Sequence, residues 1–141
     1  MYELSNVSVV IVSFNSEEKL FELFPSIPES CELIIVNNAS NSLPQELKKS
    51  RDFIEIHNSE NKGFGTACNI GVTKASKDFI FLLNPDTFLK DHCLENLLKV
   101  CKDFPNASAF TPKITNKKNK EDFKRRSILL DRGQWLKGPP K

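Results

Sequence analysis

The feature that most constrains the fold is an unbroken apolar run near the start of the chain, VSVVIVSF at Val7–Phe14. A strand that faces water on one side alternates apolar and polar residues, whereas this run is rich in β-branched residues and does not alternate. Runs of this kind are typical of strands buried on both faces of a parallel sheet. Four further apolar runs are predicted to be strands: Leu33–Val36, Phe53–His57, Phe79–Leu83 and Ala107–Thr111.

Segments with helical patterning separate these runs. Asn15 is a plausible N-cap for a first helix, with Glu18 three residues later as its capping-box partner. Further helices are predicted from Ser42 to Lys49, from about Thr66 to Ala75, and from Asp91 through Leu94, Leu97, Leu98 and Cys101. Strands that alternate with helices in this way predict an α/β fold, in which a mostly parallel sheet carries helices on both faces.

The character of the chain changes after Ile114. Residues 1–114 are predicted to form one domain, and residues 115–141 a basic, poorly patterned tail that is flexible or docks with a partner. Basic residues are concentrated from Lys113 to Arg126. This run is either a solvated surface, a contact with anionic lipid headgroups at a membrane, or a contact with a phosphorylated substrate.

Composition excludes several classes of protein. The chain of 141 residues has a net charge of +2 and ordinary apolar content, which argues against wholesale disorder. Its four cysteines have no zinc-binding spacing, and the economical interpretation is reduced thiols in a cytoplasmic protein. No apolar run is long enough to span a membrane. We predict no nucleic-acid partner, and we interpret His57 and His92 as structural or surface residues.

Polar clusters follow four of the predicted strands: Ser13-Phe14-Asn15, Asn37-Asn38-Ala39-Ser40, Asn61-Lys62-Gly63-Phe64-Gly65 and Asn84-Pro85-Asp86-Thr87. In an open parallel sheet, ligands bind beyond the carboxyl ends of the strands, so these clusters predict one crevice. Each cluster also has a simpler interpretation, because such residues are common in turns. Asp86 either caps a turn or binds a hard cation. Gly63 and Gly65 either form a flexible loop or let backbone approach a diphosphate, and Phe14 is either a core aromatic or a ligand contact.

In order and spacing, four segments of the chain resemble the N-terminal motifs of family 2 glycosyltransferases, which have the GT-A fold. These segments are VSVVIVSFNSEEKL, LIIVNNAS, NKGFGTACNIGV and FIFLLNPDT. NPDT is similar to the variant of the DxD motif found in rhamnosyltransferase-like members. The resemblance covers Val7 to Ile114 and implies an inverting, metal-dependent transfer from a nucleoside-diphosphate sugar.

The resemblance also implies a role for each matched residue. Ser13, Phe14 and Asn15 would line the base pocket, with the Phe14 ring against a pyrimidine. The remaining donor-site residues are Asn37, Asn38, Asn61, Gly63, Gly65, Asn69, Asn84 and Asp86. Of these, Asp86 would bind Mg2+ or Mn2+ against the diphosphate of a UDP- or dTDP-sugar. The acceptor would be a saccharide or a lipid-linked molecule, in polysaccharide or glycolipid biosynthesis at the inner face of the membrane.

Two departures from the family pattern shape the prediction. Asn37 stands where the family usually has an Asp that reads the base, so the charge-assisted part of that contact is lost. The family's general base comes from a region well beyond the DxD element, and none of Glu121, Asp122 and Asp131 is a convincing substitute.

We therefore expect the donor-binding portion of a transferase, without sugar transfer by this chain alone. The chain would be a fragment, a truncated gene product or one part of a split enzyme, and self-association or a partner subunit is consistent with each. The alternatives are a non-catalytic nucleotide-sugar-binding or partner-binding module derived from a glycosyltransferase, and a flavodoxin-like domain. The latter needs an acidic cluster after the first strand, which Ser13-Phe14-Asn15 does not supply.

Overall fold

The computed structural model describes residues 2–39, 41–116, 118, 120 and 128–131. Among these residues the strands are β1 (Val7–Ser13), β2 (Glu32–Asn37), β3 (Ile54–His57), β4 (Phe79–Leu83), β5 (Ala109–Phe110) and β6 (Ile128–Asp131). The α-helices are α1 (Glu17–Leu23), α2 (Gln45–Ser50), α3 (Phe64–Lys74) and α4 (Cys93–Asp103), with short 3-10 helices at Leu4–Asn6 and Phe24–Ser26. The predicted alternation of strands and helices is confirmed.

The strands form one sheet in the order β3-β2-β1-β4-β6-β5. β1 lies in the middle and pairs in parallel with β2 on one side and with β4 on the other, while β3 continues the parallel set beyond β2. β1, β2 and β4 are covered by neighbouring strands and by helices, which is why their runs are almost continuously apolar, whereas β3 lies at the side of the sheet and is only partly buried. The mostly parallel α/β sheet is confirmed.

The side of the sheet beyond β4 differs from the sequence prediction. β6 lies in the segment assigned to a tail after Ile114, and it inserts antiparallel between β4 and β5. The ordered domain therefore does not end near Ile114. The predicted fifth strand is reduced to the two residues of β5, at the outer edge of the sheet. Leu129 is fully buried, so the strand is held by core packing as well as by its ladder.

Helices cover both faces. The larger apolar cluster packs α1, α2 and α4 against one face, where Val9, Ile11, Leu33, Ile35 and Phe81 point. The smaller cluster packs α3 against Val10, Val12, Ile34 and Val36 on the other face. The predicted apolar face of α4 is confirmed, since Leu94, Leu97, Leu98 and Cys101 are all buried.

A glycine sets the distance between α3 and the sheet. A Cβ atom at Gly71 would collide with Cγ1 of Val10 and would lie 3.0 Å from Cγ2 of Val36. Only glycine therefore lets α3 approach β1 and β2 this closely. The helix is thereby fixed against the two strands whose ends begin the candidate site.

Candidate functional site

The polar strand ends meet along one edge of the sheet. Ser13, the last residue of β1, is paired in register with Asn37 at the end of β2, and Asn37 is paired with His57 at the end of β3. Residues paired in register point to the same face of a sheet. The sequence prediction that these strand ends share an edge is therefore confirmed for the first three strands. On β4, Leu83 pairs with Ile11, so Asn84 follows at the same edge.

Asn38 links the loops of this edge. Its side-chain Nδ2 donates to Oδ1 of Asn61 at 2.7 Å, and its Oδ1 accepts from Asn58 Nδ2 at 3.0 Å and from the Lys62 backbone N–H at 3.1 Å. Asn61 Oδ1 in turn accepts from the Gly63 backbone N–H at 2.9 Å. Asn38 is only 2% exposed, so it is the buried centre of a network that positions the loop before α3. The predicted proximity of Asn38, Asn61 and Gly63 is thus observed.

Asn37 is fully buried and is bonded within the protein. Its Oδ1 accepts from the Ala39 backbone N–H at 3.2 Å, and its Nδ2 donates to the Asn41 carbonyl oxygen at 2.7 Å. The same Nδ2 lies 3.3 Å from His57 Nδ1 and 3.4 Å from Glu55 Oε1. In this conformation the amide stabilises the turn after β2, and its predicted contact with a nucleotide base stays a prediction.

The residues at the end of β1 differ in burial and in backbone conformation; they are Ser13, Phe14 and Asn15. The Ser13 Oγ is buried, and it has no hydrogen-bond partner among the described residues. The Phe14 side chain is 50% exposed, so it is not a core aromatic. Asn15 has a φ of 50°, which asparagine tolerates better than most residues.

The predicted N-cap role of Asn15 is wrong. α1 begins at Glu17 with Ser16 in the N-cap position, and that residue makes no side-chain capping bond. The left-handed backbone of Asn15 turns the chain between β1 and the helix, and the residue is exposed there. Its amide is therefore displayed at the edge of the sheet instead of closing the first turn of α1.

The loop before α3 ends in a glycine whose backbone demands that residue. Gly63 has a φ of 79° and stands in the N-cap position of α3. Nothing lies within 4 Å of a Cβ atom built on Gly63 or on Gly65, so both glycines face open space. Asn69 is exposed one turn further along the helix. The N–H groups at a helix N-terminus attract anions, and the two glycines leave room for one to approach.

Asp86 lies in a tight turn after β4. The Thr87 backbone N–H and Oγ1 both reach the Asn84 carbonyl oxygen, at 3.2 Å and 2.5 Å. Asp86 is half-buried in this turn. Within the described parts of the chain no group of three His, Cys, Asp or Glu side chains forms a metal site. One carboxylate fits a hard cation only where a bound ligand supplies further oxygens, as a diphosphate does.

Sequence reasoning missed the side chains beneath the edge. Asn58 is buried and bonds Asn38, while Glu55 accepts from the Leu43 backbone N–H at 3.4 Å and forms an ion pair with Lys48 at 2.7 Å. Burial alone would raise the pKa of Glu55, but hydrogen bonds from Lys48, Leu43 and Asn37 outweigh it and hold that pKa below its usual value. The position of Asn58, directly after a strand, is the one sequence signal that pointed to it.

Four other candidate residues lie away from this edge or outside the described residues. Asp131 pairs with Phe79 at the opposite end of β4, and Ser40, Glu121 and Asp122 are not among the described residues.

All four cysteines have free thiols. Burial raises the pKa of Cys31 and of Cys101 to about 11, so these two thiols stay protonated at neutral pH. Across the described residues, no helix is long and apolar enough to cross a membrane.

Comparison with known proteins gives a consistent result. The model of the family described as glycosyl transferase family 2 matches residues 8–140. The poly-beta-1,6-N-acetyl-D-glucosamine synthase of Staphylococcus aureus (strain COL) is 29% identical over 125 residues, which are 82% of this chain and 30% of the synthase. The chain thus spans about a third of the length of that relative.

Solved structures share the fold. The mannosyltransferase PcManGT of Pyrobaculum calidifontis, in complex with GDP-Man and Mn2+, matches with a TM-score of 0.74 and 16% identity over 96% of this chain and 47% of that one. S. aureus TarS 1–349 in complex with UDP-GlcNAc matches with a TM-score of 0.61 and 17% identity over 78% of this chain and 40% of that one. The chain therefore belongs to glycosyl transferase family 2 and has the GT-A fold of that family.

Proposed function

We propose that this chain binds the donor of an inverting, metal-dependent glycosyltransferase that makes a polysaccharide or glycolipid. The observation that carries the proposal is the buried asparagine network, which fixes the loop before α3 on the edge that also bears Asp86. The names of the similar proteins support a nucleotide-sugar donor, since PcManGT was solved with GDP-Man and Mn2+ and TarS with UDP-GlcNAc. The proposed donor is a UDP- or dTDP-sugar, and the acceptor is a saccharide or a lipid-linked molecule.

The base pocket is proposed at the end of β1. The half-exposed Phe14 ring is available to stack on a pyrimidine, and the Asn15 amide beside it is exposed. Ser13 Oγ is a buried donor and acceptor without a described partner, and such groups are costly to leave unpaired. Hydrogen bonding to a bound ligand would satisfy it. Asn37 lies directly beside Ser13 in the register.

The diphosphate is proposed to lie against the loop before α3. Gly63 and Gly65 leave the backbone open to a phosphate group, and the N-terminus of α3 favours negative charge. Asn61 fixes the Gly63 N–H, and the exposed Asn69 borders the same end of the helix. This arrangement binds charge through backbone groups that the protein has already ordered.

Asp86 is the proposed metal ligand, within the turn that Asn84 and Thr87 close. A bound Mg2+ or Mn2+ supplies a positive charge that stabilises the diphosphate as it leaves. The chain's own contribution is to hold the Asp86 carboxylate at the end of β4, beside the strand that carries the base pocket. The NPDT segment thereby serves as this chain's form of the DxD motif.

The proposal is tested by calorimetry with UDP and dTDP, in the presence of Mn2+ or of a chelator. We expect metal-dependent binding to the wild-type chain and at least about tenfold weaker binding to Asp86→Ala, because a charged contact to the shared ion is lost. GDP serves as a purine comparator, since a pocket built for a pyrimidine should bind it less tightly.

Asp91→Ala is the matched control, because Asp91 lies in the same connection between β4 and α4 and is exposed. It should bind nucleotide as the wild type does. Nucleotide binding that neither the chelator nor Asp86→Ala weakens would show that Asp86 is only a turn residue. If none of UDP, dTDP and GDP binds, the proposed donor site is wrong.

A further inference from the structure

Glu55 is a charged side chain outside the proposed donor contacts, yet it joins three elements beside them. It is paired in register with Ile35 of β2, so its side chain lies on the sheet face that α2 covers. Its Oε2 forms an ion pair with Lys48 Nζ of α2 at 2.7 Å, and its Oε1 accepts from the Leu43 N–H and from Asn37 Nδ2, each at 3.4 Å. One half-buried carboxylate therefore connects β3, α2 and the end of β2.

The fully buried Asn37 amide is surrounded by acceptors. Its Nδ2 donates to the Asn41 carbonyl oxygen at 2.7 Å and to Glu55 Oε1 at 3.4 Å. Its third neighbour, His57 Nδ1 at 3.3 Å, accepts when that ring carries its proton on Nε2. A carboxylate at position 37 would place a second negative charge beside Glu55 and an oxygen against the Asn41 oxygen. Because like charges this close in a buried site disfavour the ionised forms, position 37 requires a donor.

This amide–carboxylate pair, Asn37 and Glu55, adjoins the proposed donor site. Asn37 is paired in register with Ser13 of the base pocket, and its Oδ1 accepts from the Ala39 N–H at 3.2 Å. The residue between them in sequence, Asn38, orders the loop before α3. A displacement of the Asn37 side chain would therefore disturb the residues on which the base pocket and the diphosphate loop depend.

We propose that Glu55 is a positioning residue of the donor site, which acts through Asn37 and the Leu43 N–H. The inference deepens the proposed function and rests on it, because it requires a nucleotide at the ends of β1 and β2. The site needs one amide and one carboxylate at positions 37 and 55. A charged acceptor by itself makes a stronger hydrogen bond than an amide does. Beside Glu55, however, a carboxylate at position 37 weakens donor binding, because the two charges repel each other.

A double-mutant cycle tests the proposal. Affinity is measured by calorimetry at pH 7 with Mn2+ and with UDP or dTDP, whichever the wild type binds more tightly. Asn37→Asp should bind about tenfold more weakly or worse. Asn37→Asp/Glu55→Gln should recover at least about threefold of that loss, because the new amide can donate to the new carboxylate. Glu55→Gln alone should lose less than about threefold, since its amide oxygen still accepts.

Asn41→Asp is the matched control. It makes the same chemical change close to Asn37 along the chain, at a side chain that is exposed. Because an exposed charge is screened by solvent and salt, this variant should bind nucleotide within about twofold of the wild type. Urea denaturation of every variant gives its folded fraction, so each affinity refers to folded chain.

Three results would overturn the proposal. One is nucleotide binding by Asn37→Asp that equals or exceeds that of the wild type. Another is an equal loss in Asn37→Asp and Asn37→Asp/Glu55→Gln, since the Asn41 carbonyl oxygen alone would then explain the effect. The third is a lowered urea midpoint for Asn37→Asp with unchanged affinity of the folded chain, which would make the pair structural only. Failure of the proposed function is distinguishable from these, because the wild type itself would then bind no nucleotide, and the role of Glu55 would fail with it.

Discussion

The edge of the sheet at which the parallel strands end has two halves, one above β1–β3 and one above β4–β6. The two halves are stabilised in different ways. Above β1–β3, the bonds of Asn38 join residues 20 to 24 positions apart, so they tie separate elements together. Above β4–β6, the bonds that close the turns at Asn84 and Asn116 join residues two to four positions apart. The first half is ordered by tertiary structure, and the turns of the second are ordered by their own sequence.

This difference has a consequence for binding. A loop that is fixed by long-range buried bonds presents its N–H groups in place before a ligand arrives, so less ordering entropy is lost on binding. A turn closed by hydrogen bonds between residues two to four positions apart depends less on the packing of distant elements. Substitutions that disturb packing under the first half should therefore cost both stability and donor affinity, and the predictions that follow test this from the largest effect to the smallest.

Gly71→Val should have the largest effect on stability. The new side chain would collide with Val10 and crowd Val36, forcing α3 away from β1 and β2. Overpacking of this kind should lower the free energy of unfolding by about 3 kcal/mol, measured by urea denaturation. Val72→Ala, a change at a half-buried neighbouring position, is the control and should cost clearly less. A Gly71→Val chain as stable as the control would show that α3 is not fixed against the sheet.

Asn38→Ala should have an intermediate effect. It leaves the buried Asn58 amide and the Lys62 N–H without their acceptor, which should cost about 2 kcal/mol in unfolding free energy. Nucleotide affinity in calorimetry should fall as well, because the Gly63 loop loses its support. Asn96→Ala, on the exposed face of α4, should change stability by less than about 0.5 kcal/mol. Full affinity in Asn38→Ala would mean that the network does not order the donor loop.

Glu55→Gln should have the smallest effect, and it depends on pH. Because the pKa of Glu55 is lowered in the folded protein, the charged form stabilises the fold above the ordinary pKa of about 4.3, and this stabilisation is lost as pH falls through the folded pKa. The wild type should therefore exceed Glu55→Gln in stability at pH 7 by less than about 1 kcal/mol, and the difference should vanish at lower pH. Glu46→Gln, exposed on α2, is the control for a surface carboxylate and should change the free energy of unfolding at pH 7 by less than about 0.5 kcal/mol.

Much of the fold follows from local patterns. The runs at Val7–Phe14 and Phe79–Leu83 are strands because only a sheet covered on both faces can bury such sequences, and the structure has them there. The buried face of α4 was predictable because its apolar residues recur at helical spacing and therefore lie on one side of the helix. β6 could not be predicted in this way, because its strand character depends on the open side of β4, which lies far away in sequence.

In the candidate site, too, some features follow from local sequence and others depend on tertiary structure. The sequence by itself determined which residue types follow each strand, and the parallel alternation placed these clusters on one edge, since parallel strands end together. Only the tertiary structure decided which side chains point inward, burying Asn37 and Asn38 while leaving Phe14 exposed. It also brought the β5–β6 connection to the edge that bears Asp86. The physical reason is that burial and long-range hydrogen bonding depend on residues distant in sequence, whereas strand and turn preferences depend on neighbours along the chain.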